Sequence, residues 1–361
     1  MTTPTIELKP SSSLTPAADR ERILANPGFG RYFTDHMVTV RWTEGRGWHD
    51  AELVPYAPLS MDPANMTLHY AQTIFEGLKA YRRTDGTIAT FRPEQNARRF
   101  QRSARRLAMP EVPEDLFLGA VDALVRQDGA WVPPAGEESL YIRPFMFATE
   151  VGLGVHPAGE FLFMVIASPA GAYFKGGVKP VSVWVSEDYV RAAPGGTGEA
   201  KAGGNYASSL LAQAEATARG CDQVVWLDGL ERRYIEEMGT NNLFFVYGDR
   251  VVTPSFSGSL LAGVTRDSVL AIAADLGYEV AEERISLDDW RRASEDGSLT
   301  EVFGCGTAAV ITPVGEVHSA RGSWKVAGGE SGEATMKIRS ALLDIQTGAA
   351  PDTHGWMRPL D

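Results

Sequence analysis

A lysine placed between glycines is the residue of this sequence best suited to covalent chemistry. Lys201 lies in the segment GGTGEAKAGGNY, and a helix-forming stretch follows directly. Glycines allow a bulky ligand to approach the backbone closely, and a lysine amine in such a place can form a Schiff base with a carbonyl group. The segment is not a P-loop, because alanine stands on both sides of the lysine. The alternative is a solvated lysine on a flexible surface loop.

A second glycine-rich segment, VFGCGTAAVITP at 302–313, is open to three interpretations. Gly304, Gly306 and Ala309 fit the G-x-G-x-x-A pattern of a dinucleotide-binding turn, which would indicate an NAD-dependent oxidoreductase. That pattern requires a helix after the turn, whereas residues 310–313 favour a second strand. A strand, turn and strand could instead present backbone N–H groups to a phosphate or carboxylate. A plain tight turn is the third interpretation.

Two features associated with helices could bind an anion. Gly263 and Val264 lead into a helix predicted from Thr265, and the free N–H groups of a helix N-terminus attract anions. Arg99 lies on an arginine-rich helix predicted at 93–108, where its guanidinium could hold a phosphate if it turns inward. Most helix N-termini bind only water, and most of these arginines are expected to face solvent.

Two adjacent glutamates, Glu236 and Glu237, precede a Gly-Thr-Asn-Asn turn. Neighbouring residues of a strand face opposite sides, so one of the two is expected to point inward. A buried carboxylate needs a cationic partner, and a protonated pyridine nitrogen is one such group. A pair of surface glutamates is the simpler alternative.

The elements that must position these residues alternate between strand and helix, which predicts a mixed α/β protein. Strands are predicted at 37–42, 87–92, 140–148, 160–168, 181–186, 223–227 and 243–247. Helices are predicted at 93–108, 205–219, 265–276, 286–295 with Ser286 as N-cap, and 333–346. In the helix at 205–219 the apolar positions Tyr206, Leu210, Leu211 and Ala214 are expected to be buried.

The domain division follows from one stretch rich in glycine and proline. Residues 1–20 are expected to form a solvated tail, 21–174 a first α/β domain, 175–185 a linker, and 186–361 a second α/β domain that carries Lys201. This boundary places Arg99 in the first domain and the remaining candidate segments in the second.

The composition excludes several classes of function. The 361 residues carry a net charge of −12, which disfavours binding to nucleic acid. The two cysteines, Cys221 and Cys305, form no disulfide framework, and neither they nor the histidines show metal-ligand spacing, so no metal site is expected. We find neither a signal peptide nor a membrane-spanning segment, and we expect a cytoplasmic protein.

The candidate segments together, in this order, resemble the class IV aminotransferases that use pyridoxal 5′-phosphate, and specifically the branched-chain amino acid aminotransferases. The likeness covers nearly the whole chain after the tail. It is carried by FTDHMVTVRW, LHYAQTIFEGLKAYR, LYIRPF, GLGVHP, GGTGEAKAGGNYASSLLAQAEA, EEMGTNNLFFV, LAGVTRDSV and GCGTAAVITPVG. The resemblance implies the two-domain fold of type IV, with a smaller α/β domain, a larger pseudo-barrel domain and the cofactor between them.

The resemblance also implies roles for individual residues around the cofactor. Lys201 corresponds to the Schiff-base lysine and would move the proton at the α-carbon of the substrate. Glu237, and not Glu236, would face the pyridine nitrogen, and Tyr206 would bind the phenolic oxygen. The phosphate would be held by Arg99, by the backbone N–H groups of Val264 and Thr265, and by Thr307; Thr240 would lie close to the ring.

The implied reaction is transamination of leucine, isoleucine and valine with 2-oxoglutarate. The implied substrate residues are Phe29, Tyr70, Phe75, Tyr141, Arg143, Tyr173, Thr307 and Ala308. Aromatic walls suit an aliphatic side chain, Tyr141 and the N–H groups of Thr307 and Ala308 would take the α-carboxylate, and Arg143 with Tyr70 would take the distal carboxylate of glutamate.

Leu153 and Val155 match a loop that reaches the partner's active site, which implies a homodimer. Some relatives carry a CxxC after the Gly-Thr-Ala turn, whereas this chain has Ala309 and Thr312 there, which disfavours a thiol redox switch. The alternatives are a D-amino acid aminotransferase or an aminodeoxychorismate lyase of the same fold, an NAD-dependent oxidoreductase, and a binding protein that has lost catalysis.

Overall fold

The computed structural model describes residues 4–134, 136–172 and 177–360, and the chain folds into a mixture of strands and helices. It divides into two compact units. The first contains Met1–Ala172, Ala200–Gly203 and Asp344–Asp361, and the second contains Tyr173–Glu199 and Gly204–Leu343. Among the described residues, no helix combines the length and apolar character that crossing a membrane requires.

The first unit is built on a mixed sheet covered by helices. Its strands are β1 (Glu7–Leu8), β2 (His36–Thr43), β3 (Gly47–Pro55), β4 (Thr73–Phe75), β5 (Leu78–Arg82), β6 (Ile88–Phe91), β7 (Ser139–Ala148), β8 (Glu160–Ala170) and β18 (Met357–Leu360). Its helices are α1 (Ala17–Leu24), α2 (Met66–Tyr70), α3 (Pro93–Arg106) and α4 (Glu114–Gln127). The strand order is β1-β3-β2-β8-β7-β5-β6-β18, and β4 pairs with β7.

Apolar residues on one face of this sheet pack against α3 and α4. Phe100 of α3, Phe117 of α4 and Phe163 of β8 have ring centroids within 6.0 Å of one another, and all three rings are buried. Rings packed in this way bury a large apolar area, which stabilises the sheet and fixes the position of α3. The α3 residues that face the core side include Arg99 and Ser103, so this packing also fixes two candidate site residues.

The second unit contains the strands and helices from β9 onward. Its strands are β9 (Val181–Ser186), β10 (Gln223–Leu227), β11 (Ile235–Met238), β12 (Asn241–Tyr247), β13 (Arg250–Pro254), β14 (Glu279–Glu283), β15 (Glu301–Gly306), β16 (Val310–Ser319) and β17 (Gly322–Lys325). Its helices are α5 (Gly203–Ala207), α6 (Leu210–Ala218), α7 (Val264–Asp275), α8 (Leu287–Asp296) and α9 (Glu333–Thr347), of which α5 and α9 also contribute residues to the first unit.

The strands of the second unit close into a barrel. In the order β11-β10-β9-β16-β15-β12 each strand pairs with the next, and β12 pairs again with β11 through the register Glu237↔Asn242 and Met238↔Asn241. Closure removes the exposed sheet edge that an open arrangement would leave at β11. The pseudo-barrel implied by the resemblance is therefore confirmed, and β11 with Glu236 and Glu237 is held between two paired neighbours.

The predicted elements are recovered with small shifts at their ends, with one exception. The helix predicted at 205–219 is broken into α5 and α6, because the hydroxyl of Ser209 donates to the carbonyl of Tyr206 and ends the first helix. The second part turns Ala212 and Ala216 toward the sheet, so Leu210 and Leu211 are 66% and 56% exposed. The prediction that Leu210, Leu211 and Ala214 are buried was wrong.

The division into units differs from the predicted domains in three ways. Lys201 belongs to the first unit, because Phe75 N–H donates to the Lys201 carbonyl and Ala202 bridges to Ile74. The C-terminal segment also returns there, because β18 pairs with β6, so the first unit holds more residues than the second. Within the stretch predicted as a linker at 175–185, residues 175 and 176 lie outside the described residues, and β9 begins at Val181.

Candidate active site

Lys201 is held at its backbone from two sides within the first unit. The Lys201 N–H donates to the hydroxyl oxygen of Ser103 at 2.9 Å, and the Lys201 carbonyl accepts from Phe75 N–H at 3.0 Å. Its Nζ lies 4.9 Å from the centre of the Phe75 ring. The backbone around Lys201 is therefore fixed by hydrogen bonds, which contradicts the alternative of a lysine on a flexible surface loop.

Arg99 turns inward, as the phosphate hypothesis requires, and forms a buried ion pair. Its Nε and Nη2 donate to the two carboxylate oxygens of Glu76 at 2.7 and 2.8 Å, and both side chains are almost fully buried. The hydroxyl of Ser103 donates to the Arg99 carbonyl at 3.0 Å and accepts from the Lys201 N–H, so it connects the two candidate residues. The backbone of α3 thereby sets the positions of Arg99 and Lys201 together.

Aromatic and cationic side chains lie next to Lys201. The Arg143 guanidinium lies 4.8 Å from the Phe75 ring centre and donates to the Tyr141 hydroxyl oxygen at 3.1 Å. Phe29 packs edge-on against Tyr141 with ring centroids 5.0 Å apart. A Cβ at Gly77 would clash with the Tyr141 hydroxyl oxygen, so only glycine leaves room for it. Four predicted substrate residues therefore meet in one cluster beside the lysine.

Tyr70, Leu153 and Val155 form a separate surface feature of the first unit. The Tyr70 hydroxyl donates to the Leu153 carbonyl at 2.5 Å, while the Leu153 and Val155 side chains are 67% and 82% exposed. Among the described residues, Arg143 makes its side-chain contacts with Tyr141 and Phe75 and not with Tyr70. The pairing of Tyr70 with Arg143 within one chain thus has no support, and Tyr70 groups with the exposed loop instead.

Glu237 is a buried carboxylate with cationic and backbone partners inside the second unit. Its Oε2 lies 2.9 Å from Nε of Arg191, and its Oε1 accepts from Leu261 N–H at 2.7 Å. The Arg191 side chain is nearly buried and donates through Nη2 to the carbonyls of Ser259 and Gly198. A carboxylate with such partners is stabilised in its charged form, as a partner for a cation must be.

Glu236 is buried as well, which contradicts the expectation that only one of the two glutamates points inward. Both side chains are 3% exposed, and Glu236 accepts hydrogen bonds from the hydroxyls of Ser257 and Ser259. The reason is the closed barrel: successive residues of β11 still face opposite sides, but the 255–261 segment supplies polar groups to both. The surface-glutamate alternative is wrong for both residues.

The three anion-binding segments of the second unit have the expected secondary structure. Helix α7 begins at Val264 after Gly263, and among the described residues no side chain caps it, so its first N–H groups have no partner within the helix. Thr307 and Ala308 lie in the turn between β15 and β16. Because a strand and not a helix follows Gly306, the dinucleotide-binding interpretation of this segment is wrong.

Strain at the end of that turn separates it from an ordinary tight turn. Val310 has φ of +60°, which a β-branched residue rarely adopts. Such strain persists only where the surrounding structure imposes it, and it is found most often at functional sites. The observation favours the anion-binding interpretation over the plain turn.

The remaining predicted residues lie in the second unit or outside the described residues. Tyr206 is half-buried on α5, and Thr240 is exposed at the turn between β11 and β12, where Gly239 takes φ of +56°. Tyr173 lies outside the described residues, so its role stays a prediction. Within the described part of the chain, no group of histidine, cysteine, aspartate and glutamate could hold a metal ion.

Three residues of the site escaped prediction from the sequence. Glu76, Ser103 and Arg191 each contact a candidate residue, yet none lies in a motif with a chemical signature. The spacing of Arg99 and Ser103, one helical turn apart, could have indicated that they share a face of α3. Glu76 and Arg191 gave no comparable signal, because their partners are distant in sequence.

Comparisons with known proteins agree with this geometry. The model of the family amino-transferase class IV matches residues 73–317. A probable branched-chain-amino-acid aminotransferase of Streptomyces coelicolor is 69% identical over 361 residues, and the match covers 100% of both chains. A branched-chain-amino-acid aminotransferase of Mycolicibacterium smegmatis is 59% identical and covered, like this chain, over 99% of its length.

Solved structures show the same fold. The branched-chain amino acid aminotransferase of Escherichia coli aligns with a TM-score of 0.74 at 33% identity, covering 89% of this chain and 99% of that one. The branched-chain amino acid aminotransferase of T.th. with pyridoxamine 5′-phosphate aligns with a TM-score of 0.72 at 32% identity, covering 89% and 98%. This chain therefore belongs to the class IV aminotransferases and, within them, to the branched-chain-amino-acid aminotransferases.

Proposed function

We propose that this chain transfers the amino group of leucine, isoleucine or valine to 2-oxoglutarate, with pyridoxal 5′-phosphate as cofactor, giving branched-chain 2-oxo acids and L-glutamate. The observation that carries the proposal is the placement of Lys201 beside Phe75 in the cluster that also holds Tyr141 and Arg143. The full-length identity to relatives named for this activity supports the choice of substrate.

The donor set of the chain fits this cofactor. In the first unit, Lys201 offers an amine and Arg99 a guanidinium whose position is fixed by Glu76. In the second unit, Glu237 is anionic and suits a protonated pyridine nitrogen, while the uncapped start of α7 suits a phosphate. Tyr206, Thr240, Val264, Thr265 and Thr307 complete the proposed cofactor residues.

When bound, the cofactor supplies the electron sink that makes the α-hydrogen of an amino acid acidic enough to remove. Lys201 takes the proton from the α-carbon of the substrate through Nζ and returns it as an acid. The Phe75 ring beside Nζ limits access of water to the amine. Glu237 keeps a proton on the pyridine nitrogen, because Arg191 and Leu261 N–H stabilise its charged form.

The cluster around Lys201 also accounts for two kinds of substrate. Phe29, Phe75 and Tyr141 offer aromatic surface to an aliphatic side chain. Arg143 is fixed against two of these rings and accepts the distal carboxylate of glutamate. The Tyr141 hydroxyl and the N–H groups of Thr307 and Ala308 take the α-carboxylate. Tyr173 is assigned to the substrate by the family resemblance alone.

The chain acts as a homodimer in this proposal, with Tyr70, Leu153 and Val155 directed to the active site of the partner subunit. The exposure of Leu153 and Val155 and the bond that ties Tyr70 to Leu153 support this role. The test mixes a Lys201→Ala chain with a Val155→Asp chain. Each is expected to be nearly inactive alone, whereas mixed dimers regain one intact site, or roughly a quarter of all sites. No recovery after subunit exchange would refute the assignment.

A cytoplasmic location is part of the same proposal. Cys221 and Cys305 are both buried and free, and burial raises the pKa of each thiol, which is typical of structural cysteines in a reducing compartment. The thiols therefore need no oxidising environment for folding.

The first experiment is the visible absorption spectrum of the purified protein, before and after L-leucine is added without any oxo acid. A yellow band that bleaches would establish the cofactor and the first half-reaction. D-leucine is the matched control, and bleaching by the D-isomer alone would favour the D-amino acid aminotransferase. A protein that stays colourless after pyridoxal 5′-phosphate is supplied would refute the proposal.

A further inference from the structure

The carboxylate of Glu76 is fully buried and is surrounded by hydrogen-bond donors. Its Oε1 accepts from Arg99 Nε at 2.7 Å, and its Oε2 accepts from Arg99 Nη2, from Asn96 Nδ2 at 2.7 Å and from Gly77 N–H at 3.1 Å. A carboxylate that accepts from one guanidinium through both oxygens fixes the plane of that guanidinium as well as its position. Glu76 therefore determines the direction in which Arg99 presents its remaining donors.

That direction has a consequence for ligand binding. Glu76 uses the edge of the guanidinium formed by Nε and Nη2, so Nη1 lies on the side turned away from Glu76. Without the pairing, the Arg99 side chain could rotate among several orientations, and a ligand would have to immobilise it on binding. Immobilising a long side chain costs affinity, and a pre-positioned guanidinium avoids this cost.

Glu76 is charged in the folded protein. Burial raises the pKa of this carboxyl, but the charge of Arg99, its hydrogen bonds and the charge of Lys201 outweigh burial, so the pKa lies below the ordinary value of 4.5. The charge of Glu76 thus acts on Arg99 by contact and on Lys201 through space. The Lys201 backbone is tied to the same assembly through Ser103.

We propose that Glu76 is a positioning residue for the cofactor, holding Arg99 in the orientation that binds the phosphate and adding a negative charge close to Lys201. The proposal rests on the assignment of Arg99 to the phosphate made above. Glu76 itself touches neither the reacting atoms nor the cofactor. Its effect is expected in cofactor affinity and in the pH response of the bound cofactor.

The test compares Glu76→Gln with Glu76→Asp in the enzyme loaded with pyridoxamine 5′-phosphate, which is held without a covalent bond. Glutamine keeps the size of the side chain but removes the charge and opposes one N–H donor with another. We expect the dissociation constant of pyridoxamine 5′-phosphate to rise at least about tenfold in Glu76→Gln, the loss typical of a charged hydrogen bond. Binding of pyridoxamine, which has no phosphate, should change little.

A second readout separates positioning from a merely structural role. In the holoenzyme with pyridoxal 5′-phosphate, removal of the Glu76 charge should lower the pH midpoint at which the visible absorption band changes. Glu76→Asp keeps the charge and should keep the midpoint while it restores part of the affinity. Asp128→Asn is the matched control, since Asp128 is another buried carboxylate of the first unit, paired with His36, and should lower stability without changing either readout.

Three results would overturn the proposal. An equal loss of affinity for pyridoxamine and for its phosphate would show a structural role only, and an unchanged dissociation constant in Glu76→Gln would remove the role altogether. Arg99→Gln serves as the reference: if it weakens phosphate binding and Glu76→Gln does not weaken it further in the double variant, Glu76 acts through Arg99. If Arg99→Gln itself has no effect, the phosphate assignment fails and this proposal with it.

Discussion

Arg191 and Glu237 form a nearly buried ion pair inside the barrel unit, with Nε of Arg191 2.9 Å from Oε2 of Glu237. Arg191 is held in turn by carbonyl groups at 198 and 259, and Glu237 by the N–H of Leu261. The pair thus connects the β11 strand to the segments on both sides of it. A carboxylate fixed in this way keeps its charge and its direction without help from a ligand.

Glu237→Gln should slow both half-reactions on the order of 10²-fold, because a neutral amide no longer stabilises the proton on the pyridine nitrogen. Single-turnover absorption changes with L-leucine and with 2-oxoglutarate measure the two halves separately. The matched control is Glu236→Gln on the same strand, which faces Ser257 and Ser259 and should leave these rates nearly unchanged. Equal effects of the two variants would contradict the assignment of Glu237.

Arg191→Met should destabilise the protein by about 3–5 kcal/mol, since it leaves a buried carboxylate without its cationic partner. Urea unfolding of the holoenzyme at neutral pH measures the change. Arg284→Met removes an exposed ion pair with Glu231 and should change stability little. A small effect of Arg191→Met would mean that Glu237 does not depend on this pair for its charge.

Lys201→Ala should abolish turnover and leave the cofactor bound only through its non-covalent contacts. The visible band typical of a lysine-linked cofactor should disappear, while pyridoxamine 5′-phosphate should still bind. Lys325→Ala, an exposed lysine of the second unit, is the control for loss of a positive charge. Near-normal activity of Lys201→Ala would refute the catalytic role.

Gly77→Ala should raise KM for branched-chain amino acids more than it lowers cofactor affinity. The added methyl group would clash with the Tyr141 hydroxyl oxygen and would displace that side chain. Steady-state kinetics with leucine and a cofactor titration test the two effects. Gly119→Ala, in the middle of α4 where a methyl group meets only an ordinary contact with Ile6, is expected to leave kinetics unchanged and to stabilise the helix by about 0.5–1 kcal/mol.

Asp228→Asn should lower stability at pH 7 by about 1–3 kcal/mol, because the Asp228 carboxylate accepts four backbone N–H bonds from the loop before β11. Burial raises the pKa of Asp228, but these N–H groups outweigh burial and set the pKa below its ordinary value of 3.8. The contribution is therefore complete above pH 3.8 and is lost as the pH falls toward the lowered pKa. Urea unfolding between about pH 7 and pH 3 should show this loss in the wild-type protein and a flatter profile in the variant.

Local patterns in the sequence determined most of the secondary structure and the family. The strand at 181–186 and the helix capped by Ser286 follow from alternation and capping chemistry, which act within a few neighbouring residues. The segments around Lys201 and Glu237 identified the family because each combines several residue types at fixed spacing. Such signals survive in a linear sequence because they depend on neighbours along the chain.

Tertiary structure alone decided which residues support the site. Glu76 meets Arg99 across 23 positions of sequence, and Ser103 meets Lys201 across 98. The burial of both Glu236 and Glu237 depends on closure of the barrel, and the exposure of Leu210 and Leu211 depends on which face of α6 packs on the sheet. Pairings between distant residues depend on packing and on desolvation of charges, which are set only when strands and helices come together.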